Sequence, residues 1–140
     1  MDKIEIYVDG SYSIYKKNFS YGLVVLLNGE EVYKDSGIGT DPESAKLRNV
    51  AGEIMGAVKA VEFAYQNECK EITLYYDYQG IESWAIGTWK RNKELTNQYH
   101  QYMQDRMKDI KINFVKVKGH SGVKYNELVD KLAKEALGIN

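Results

Sequence analysis

Apolar and polar residues alternate at the start of the chain. Ile4, Ile6 and Val8 interleave with Glu5, Tyr7 and Asp9. A period of two predicts a strand buried on one face, and Asp9-Gly10-Ser11 reads as its exit into a glycine turn. Residues 12–20 are polar and tyrosine-rich, a loop or ragged strand extension. Residues 21–27 are almost continuously apolar, Asn28-Gly29 is a two-residue hairpin turn, and residues 30–39 form the returning strand. Three strands are therefore expected in the first 40 residues, the last two antiparallel.

Thr40-Asp41-Pro42 is a helix start, with a cap residue followed by proline in the first turn. From there to about Gln66 the apolar stripe is Leu47, Val50, Ala51, Ile54, Val58, Val61 and Tyr65, the spacing of one helical face. Glu53 borders that stripe, either as a partly exposed helix glutamate or as a functional carboxylate. Residues 71–77 are a fourth strand, ending in Asp77 as the first ends in Asp9. A strand–helix–strand succession makes parallel neighbours, which would bring Asp9 and Asp77 to one sheet edge, where open α/β sheets bind ligands. A short helix broken at Gly87 follows. Trp84 and Trp89 lie beside Lys90, Arg91 and Lys93, as packing plus a solvated loop or as a platform for a sugar–phosphate backbone. Another helix is expected over residues 95–108, with Leu95, Tyr99, Tyr102, Met103 and Met107 inward and His100 on the surface. A fifth strand covers residues 111–118, and Gly119-His120-Ser121-Gly122 is a flexible loop. The last helix covers residues 124–137, apolar at Tyr125, Leu128, Leu132 and Ala136. On it Asn126 and Asp130, four apart, share a face.

Composition narrows the class. The 140 residues are 44% hydrophobic and 28% charged, ordinary for one globular domain spanning residues 1–140. No apolar run approaches a membrane span, and the opening residues read as a strand rather than a secretion signal, so a cytoplasmic location is expected. The lone cysteine, Cys69, excludes an internal disulfide and a cysteine-based zinc site and reads as a packed thiol. Net charge is −1, with residues 1–70 at −3 (8 basic, 11 acidic) and residues 71–140 at +2 (11 basic, 9 acidic). That asymmetry is mild and does not by itself point to a polyanion.

Four carboxylates stand at element ends or faces, in the order strand Asp9, helix Glu53, strand Asp77, helix Asp130, with the Gly-His loop before the last. On Tyr7-Val8-Asp9-Gly10-Ser11, Asn49-Val50-Ala51-Gly52-Glu53, Tyr76-Asp77-Tyr78-Gln79, Lys118-Gly119-His120-Ser121-Gly122 and Asn126-Glu127-Leu128-Val129-Asp130-Lys131-Leu132-Ala133, the chain resembles ribonuclease H of the bacterial type HI class. The resemblance implies an α/β fold with a five-stranded mixed sheet in the order 3-2-1-4-5, flanked by helices. It implies endonucleolytic hydrolysis of RNA in an RNA–DNA hybrid. It makes Asp9, Glu53, Asp77 and Asp130 the metal ligands, His120 a mobile loop histidine, and Gly10, Ser11, Asn49, Gln79 and Asn126 contacts to the substrate.

Physical chemistry agrees with that assignment. Crowded carboxylates resist ionising together, and a cation with a preference for oxygen ligands, Mg²⁺ or in its place Mn²⁺, removes the conflict. Two such ions about 4 Å apart suit in-line displacement at phosphorus. His120, with an ordinary pKa near 6.5, suits proton shuttling or product release. Asn49 and Gln79 suit reading of the 2′-hydroxyl. Two departures from the family stand out: tyrosines and lysines over residues 12–20 replace a glycine- and proline-rich segment, and only Lys90, Arg91 and Lys93 remain of a longer basic protrusion. A monomer that grips the hybrid weakly, with a separate hybrid-binding domain outside this chain as a possible partner, is the expectation. The alternatives are a nuclease of the same fold acting on DNA and a non-catalytic nucleic-acid-binding domain.

Overall fold

The computed structural model describes residues 3–118 and 124–139. Three strands come first, β1 (Lys3–Ser13), β2 (Asn18–Leu27) and β3 (Glu30–Gly39), then helices α1 (Pro42–Ala45) and α2 (Asn49–Gln66). They are followed by β4 (Glu71–Tyr76), α3 (Gly80–Ile86), α4 (Glu94–Arg106), β5 (Lys111–Lys116) and α5 (Lys124–Ala136). The strands form one mixed sheet in the order β3-β2-β1-β4-β5. β1 pairs antiparallel with β2, and β2 with β3; β4 lies parallel to both β1 and β5. No helix among the described residues is long and apolar enough to cross a membrane.

Strand alternation sorts the side chains. Ile4, Ile6 and Val8 point to the face covered by α2 and join Ile54, Val61, Ile72, Leu74 and Met103 in the main core. Tyr7 points to the other face, where Val24, Leu26 and Val129 pack under α5 with Tyr125 and Leu128. Asp9, two residues beyond Tyr7, shares that second face.

Several boundaries differ from the sequence reading. β1 does not stop at a glycine turn: Asp9 and Gly10 sit within the ladder, opposite Gly22 and Tyr21, and the pairing continues to Ser13 with Asn18. Of the two readings of residues 12–20, the strand extension holds over most of the segment, as a hairpin with a four-residue tip. The single helix expected from Pro42 is two, because Arg48 takes a left-handed φ of 54°. Such a backbone costs on the order of 1 kcal/mol for a side-chain-bearing residue. It lets the chain turn and start α2 at Asn49, directly over β1. There Gly10 is required, since a Cβ on it would collide with the backbone of Asn49 and Glu53. Gly22, on the opposite face, similarly admits the α5 backbone at Val129 and Ala133.

The expected stripe of α2 holds for Ala51, Ile54 and Val61, which are buried, and for Leu47, Val50 and Val58, which are half-buried; Tyr65 is exposed, and the buried face extends to Gly52, Glu53, Gly56, Ala57, Ala60 and Ala64. The buried face of α5 is rotated from its expected stripe. α5 buries Asn126, Val129 and Ala133, leaving Tyr125, Leu128, Leu132 and Ala136 at its flanks. Small residues let each helix approach the sheet closely, which counts for more here than side-chain bulk.

Candidate active site

Asp9 occupies the centre of the sheet, because β1 lies between β2 and β4. It is partly buried, and its Oδ1 accepts a 2.8 Å hydrogen bond from the Gly10 amide. Burial raises the pKa of its carboxyl from 3.8 to about 8. The Glu53 charge adds to that, as do the weaker charges of Asp130 and Asp77, and the Gly10 amide opposes them. Asp9 is therefore the residue at which the fields of the other three carboxylates meet.

Glu53 is only 2% exposed, which overturns the partly exposed helix reading. Its Oε1 accepts from the amides of Asp77 at 2.8 Å and Tyr78 at 3.0 Å. A side chain of α2 thereby caps the end of β4 and draws that strand's exit towards Asp9. Burial raises its pKa from 4.5 to about 7, the two amides act against this, and the Asp77 charge adds a little more. Asp77 itself is the first residue beyond β4 and is partly buried. Asp130 lies midway along α5 and forms a 3.0 Å ion pair with Lys134, one turn on. Among the described residues, Asp9, Glu53 and Asp77 make no ion pair.

The donor set is all carboxylate oxygen, partly withdrawn from water and short of positive charge, which fits a divalent cation that prefers oxygen ligands. As they stand, no three His, Cys, Asp or Glu side chains among the described residues are set around a single ion. Asp9 is turned to its neighbouring amide, Glu53 to β4 and Asp130 to Lys134.

The remaining expected site residues differ in placement. Gly10 is packed beneath α2, and Ser11 is buried opposite Ser20. Asn49 is exposed as the first residue of α2. Gln79 precedes α3 and donates to Ser83 Oγ at 3.0 Å. Asn126 is buried and makes a long 3.5 Å contact with the Lys118 carbonyl. His120 lies outside the described residues. His100, expected on the surface, is partly buried, and its Nδ1–H donates to the Trp84 carbonyl at 2.8 Å. Tyr78, Trp84 and Trp89 form an aromatic cluster with ring centroids 5.6–5.9 Å apart. Trp84 is buried in it, while Tyr78 and Trp89 are exposed. Arg91 donates to the carbonyls of Gly87 and Trp89 rather than lying free in solvent.

Three contributors were missed in the sequence. Lys134 could have been found, because it lies four residues after Asp130 on a helix. The Asp77 and Tyr78 amides could not, since backbone donors carry no residue signature.

Comparison with known proteins gives concordant results. The model of the family described as RNase H matches residues 1–138. The ribonuclease H of Legionella pneumophila strain Lens is 37% identical, covering 98% of this chain and 96% of its own. That of Pseudoalteromonas translucida is 36% identical, covering 96% and 90%. Among solved structures, RNase H1 from the halophilic archaeon Halobacterium salinarum superposes with a TM-score of 0.81 at 21% identity, covering 97% of this chain and 98% of the other. LC11-RNase H1, solved with an RNA/DNA hybrid, gives 0.74 at 17% identity, covering 96% and 99%. At such identities these structural likenesses concern the fold.

Proposed function

Because the chain belongs to the RNase H family, we propose that it hydrolyses the RNA strand of RNA–DNA hybrids where β4 ends beside Asp9 of β1. The observation that carries this reading is the placement of Asp9 on the central strand beside Glu53, whose Oε1 accepts from the Asp77 amide, so that three carboxylates gather where β4 ends. Asp9, Glu53, Asp77 and Asp130 are the residues that would hold two divalent cations, Mg²⁺ or Mn²⁺. Bound there, the cations supply Lewis acidity and a more acidic water for attack at phosphorus.

The chain's own residues do the rest. In the reaction the water oxygen bonds to phosphorus and the bond to the 3′ oxygen breaks, leaving 3′-hydroxyl and 5′-phosphate ends. The Asp77 and Tyr78 amides hold Glu53 in one orientation, so that less reorganisation is needed when substrate arrives. His120 is assigned the proton delivered to or taken from the displaced groups. The exposed Asn49 side chain and the half-buried Gln79 would line the RNA strand, while Gly10, Ser11 and Asn126, packed or buried, would shape the site beneath it. Hydrogen bonds to its 2′-hydroxyl would separate RNA from DNA. Tyr78 and Trp89 offer exposed ring faces against which a sugar or base can rest, with Lys90 alongside for phosphate.

The test is incubation of purified protein with labelled RNA–DNA hybrid, double-stranded RNA and double-stranded DNA, with Mg²⁺, Mn²⁺ or chelator. Metal-dependent cleavage confined to the RNA of the hybrid is expected. Cleavage confined to DNA would replace the substrate assignment, and binding without cleavage would make the chain a nucleic-acid-binding domain.

A further inference from the structure

Three of the four carboxylates lack an ion-pair partner among the described residues, but Asp130 has one. Its Oδ2 meets Lys134 Nζ at 3.0 Å, with both side chains only partly exposed. The pair is set by the helix itself, since residues four apart lie on one face. It also differs in kind from what holds the other ligands. Asp9 and Glu53 are held by backbone amides, which orient a carboxylate without neutralising it. Lys134 brings a full positive charge on a flexible stem to the Asp130 carboxylate. Beside the pair opens a recess of about 290 Å³ lined by Asp130, Lys131, Lys134, Glu135 and Ile139. An ammonium leaving Asp130 therefore has space to move into and a second carboxylate, Glu135, along its wall.

We propose that Lys134 is a built-in competitor for the Asp130 side of the metal site, a positioning residue that holds this carboxylate until a divalent cation displaces it. The inference rests on the carboxylates being metal ligands and adds that binding at Asp130 must first break an ion pair. Lys134 also partly neutralises the site before the cation arrives, limiting the repulsion that the metal-free protein carries.

The test is a double-mutant cycle read by Mn²⁺ binding, using calorimetry and the loss of free-ion electron paramagnetic resonance signal, without substrate. K134M preserves the apolar stem and removes the charge. It should tighten Mn²⁺ binding about two- to fivefold, the range corresponding to a partly exposed ion pair. In the D130N background the same substitution should have no effect. K131M, which removes an equal charge from the same helix, should change affinity less than K134M. Unchanged or weakened binding in K134M would overturn the proposal, as would equal tightening with and without Asp130, which would mean a general field effect. Failure of the wild-type protein to bind Mn²⁺ at all would instead remove the metal reading on which the inference rests.

Discussion

The buried Glu53 carboxylate puts function and stability in opposition, and Glu53→Gln separates them. The glutamine is the same size, and its Oε1 can still accept from the Asp77 and Tyr78 amides. What is lost is the cost of keeping a charge away from water. The Glu53 carboxyl is raised from 4.5 to about 7, so between those values the folded chain binds its proton more tightly than the unfolded chain. Stability contributed by the protonated group is thus present at low pH and lost as pH rises through about 7. At about 1.4 kcal/mol per pKa unit, the charged form costs about 3 kcal/mol at pH 8 and under about 1 kcal/mol at pH 5. Metal-free Glu53→Gln should therefore be more stable than wild type at pH 8, with Tm higher by roughly 10 °C, and nearly equal at pH 5. Thermal and urea unfolding in chelator at the two pH values measure this directly. A destabilised variant at pH 8, or an equal gain at both pH values, would refute the assignment of a buried, repelled carboxylate. The same variant should have lost metal-dependent cleavage.

Two further outcomes are expected. Asp9→Asn should abolish cleavage of labelled hybrid in Mg²⁺ while the circular dichroism spectrum stays that of wild type, since the ladder around residue 9 is backbone; wild-type rates would exclude Asp9 as a ligand. Gly10→Ala should cost about 2–3 kcal/mol in urea unfolding and reduce activity, because its Cβ would press on the backbone of Asn49 and Glu53 and shift α2; an unperturbed midpoint would show that α2 does not depend on this contact.

The strand periods of Ile4, Ile6 and Val8, the Asn28-Gly29 turn and the strand–helix–strand order were enough to predict the β2–β3 hairpin and the parallel pairing of β1 with β4, and the family resemblance implied the full strand order. The order of Asp9, Glu53, Asp77 and Asp130 along these elements was likewise legible, because each lies on or beside an element with a clear hydrophobic period. What the periods misjudged was the facing of α5 and the width of the α2 contact. Ala51, Ile54 and Val61 face the core as predicted, but Tyr65 does not, and Gly52, Gly56, Ala57 and Ala60 join the contact; on α5 the contact is Val129 and Ala133 rather than Tyr125.

By itself, then, the sequence determined most of the elements, the hairpin of β2 and β3, the parallel neighbours β1 and β4, and the candidate carboxylates. These depend on local spacing and residue type, whereas the full strand order came from the resemblance to a family. Only the tertiary structure decided that Asp9 sits within a strand rather than at a turn, since continuation to Ser13 depends on pairing with β2. Only it decided that Glu53 is buried against the amides of β4, and so which carboxylate bears the cost of desolvation. Close approach and backbone hydrogen bonding arise between elements distant in the chain, and a list of side chains does not specify them. Asp130 falls between the two cases: its partner Lys134 is visible in the helix spacing, but their pairing at the edge of the site required the fold.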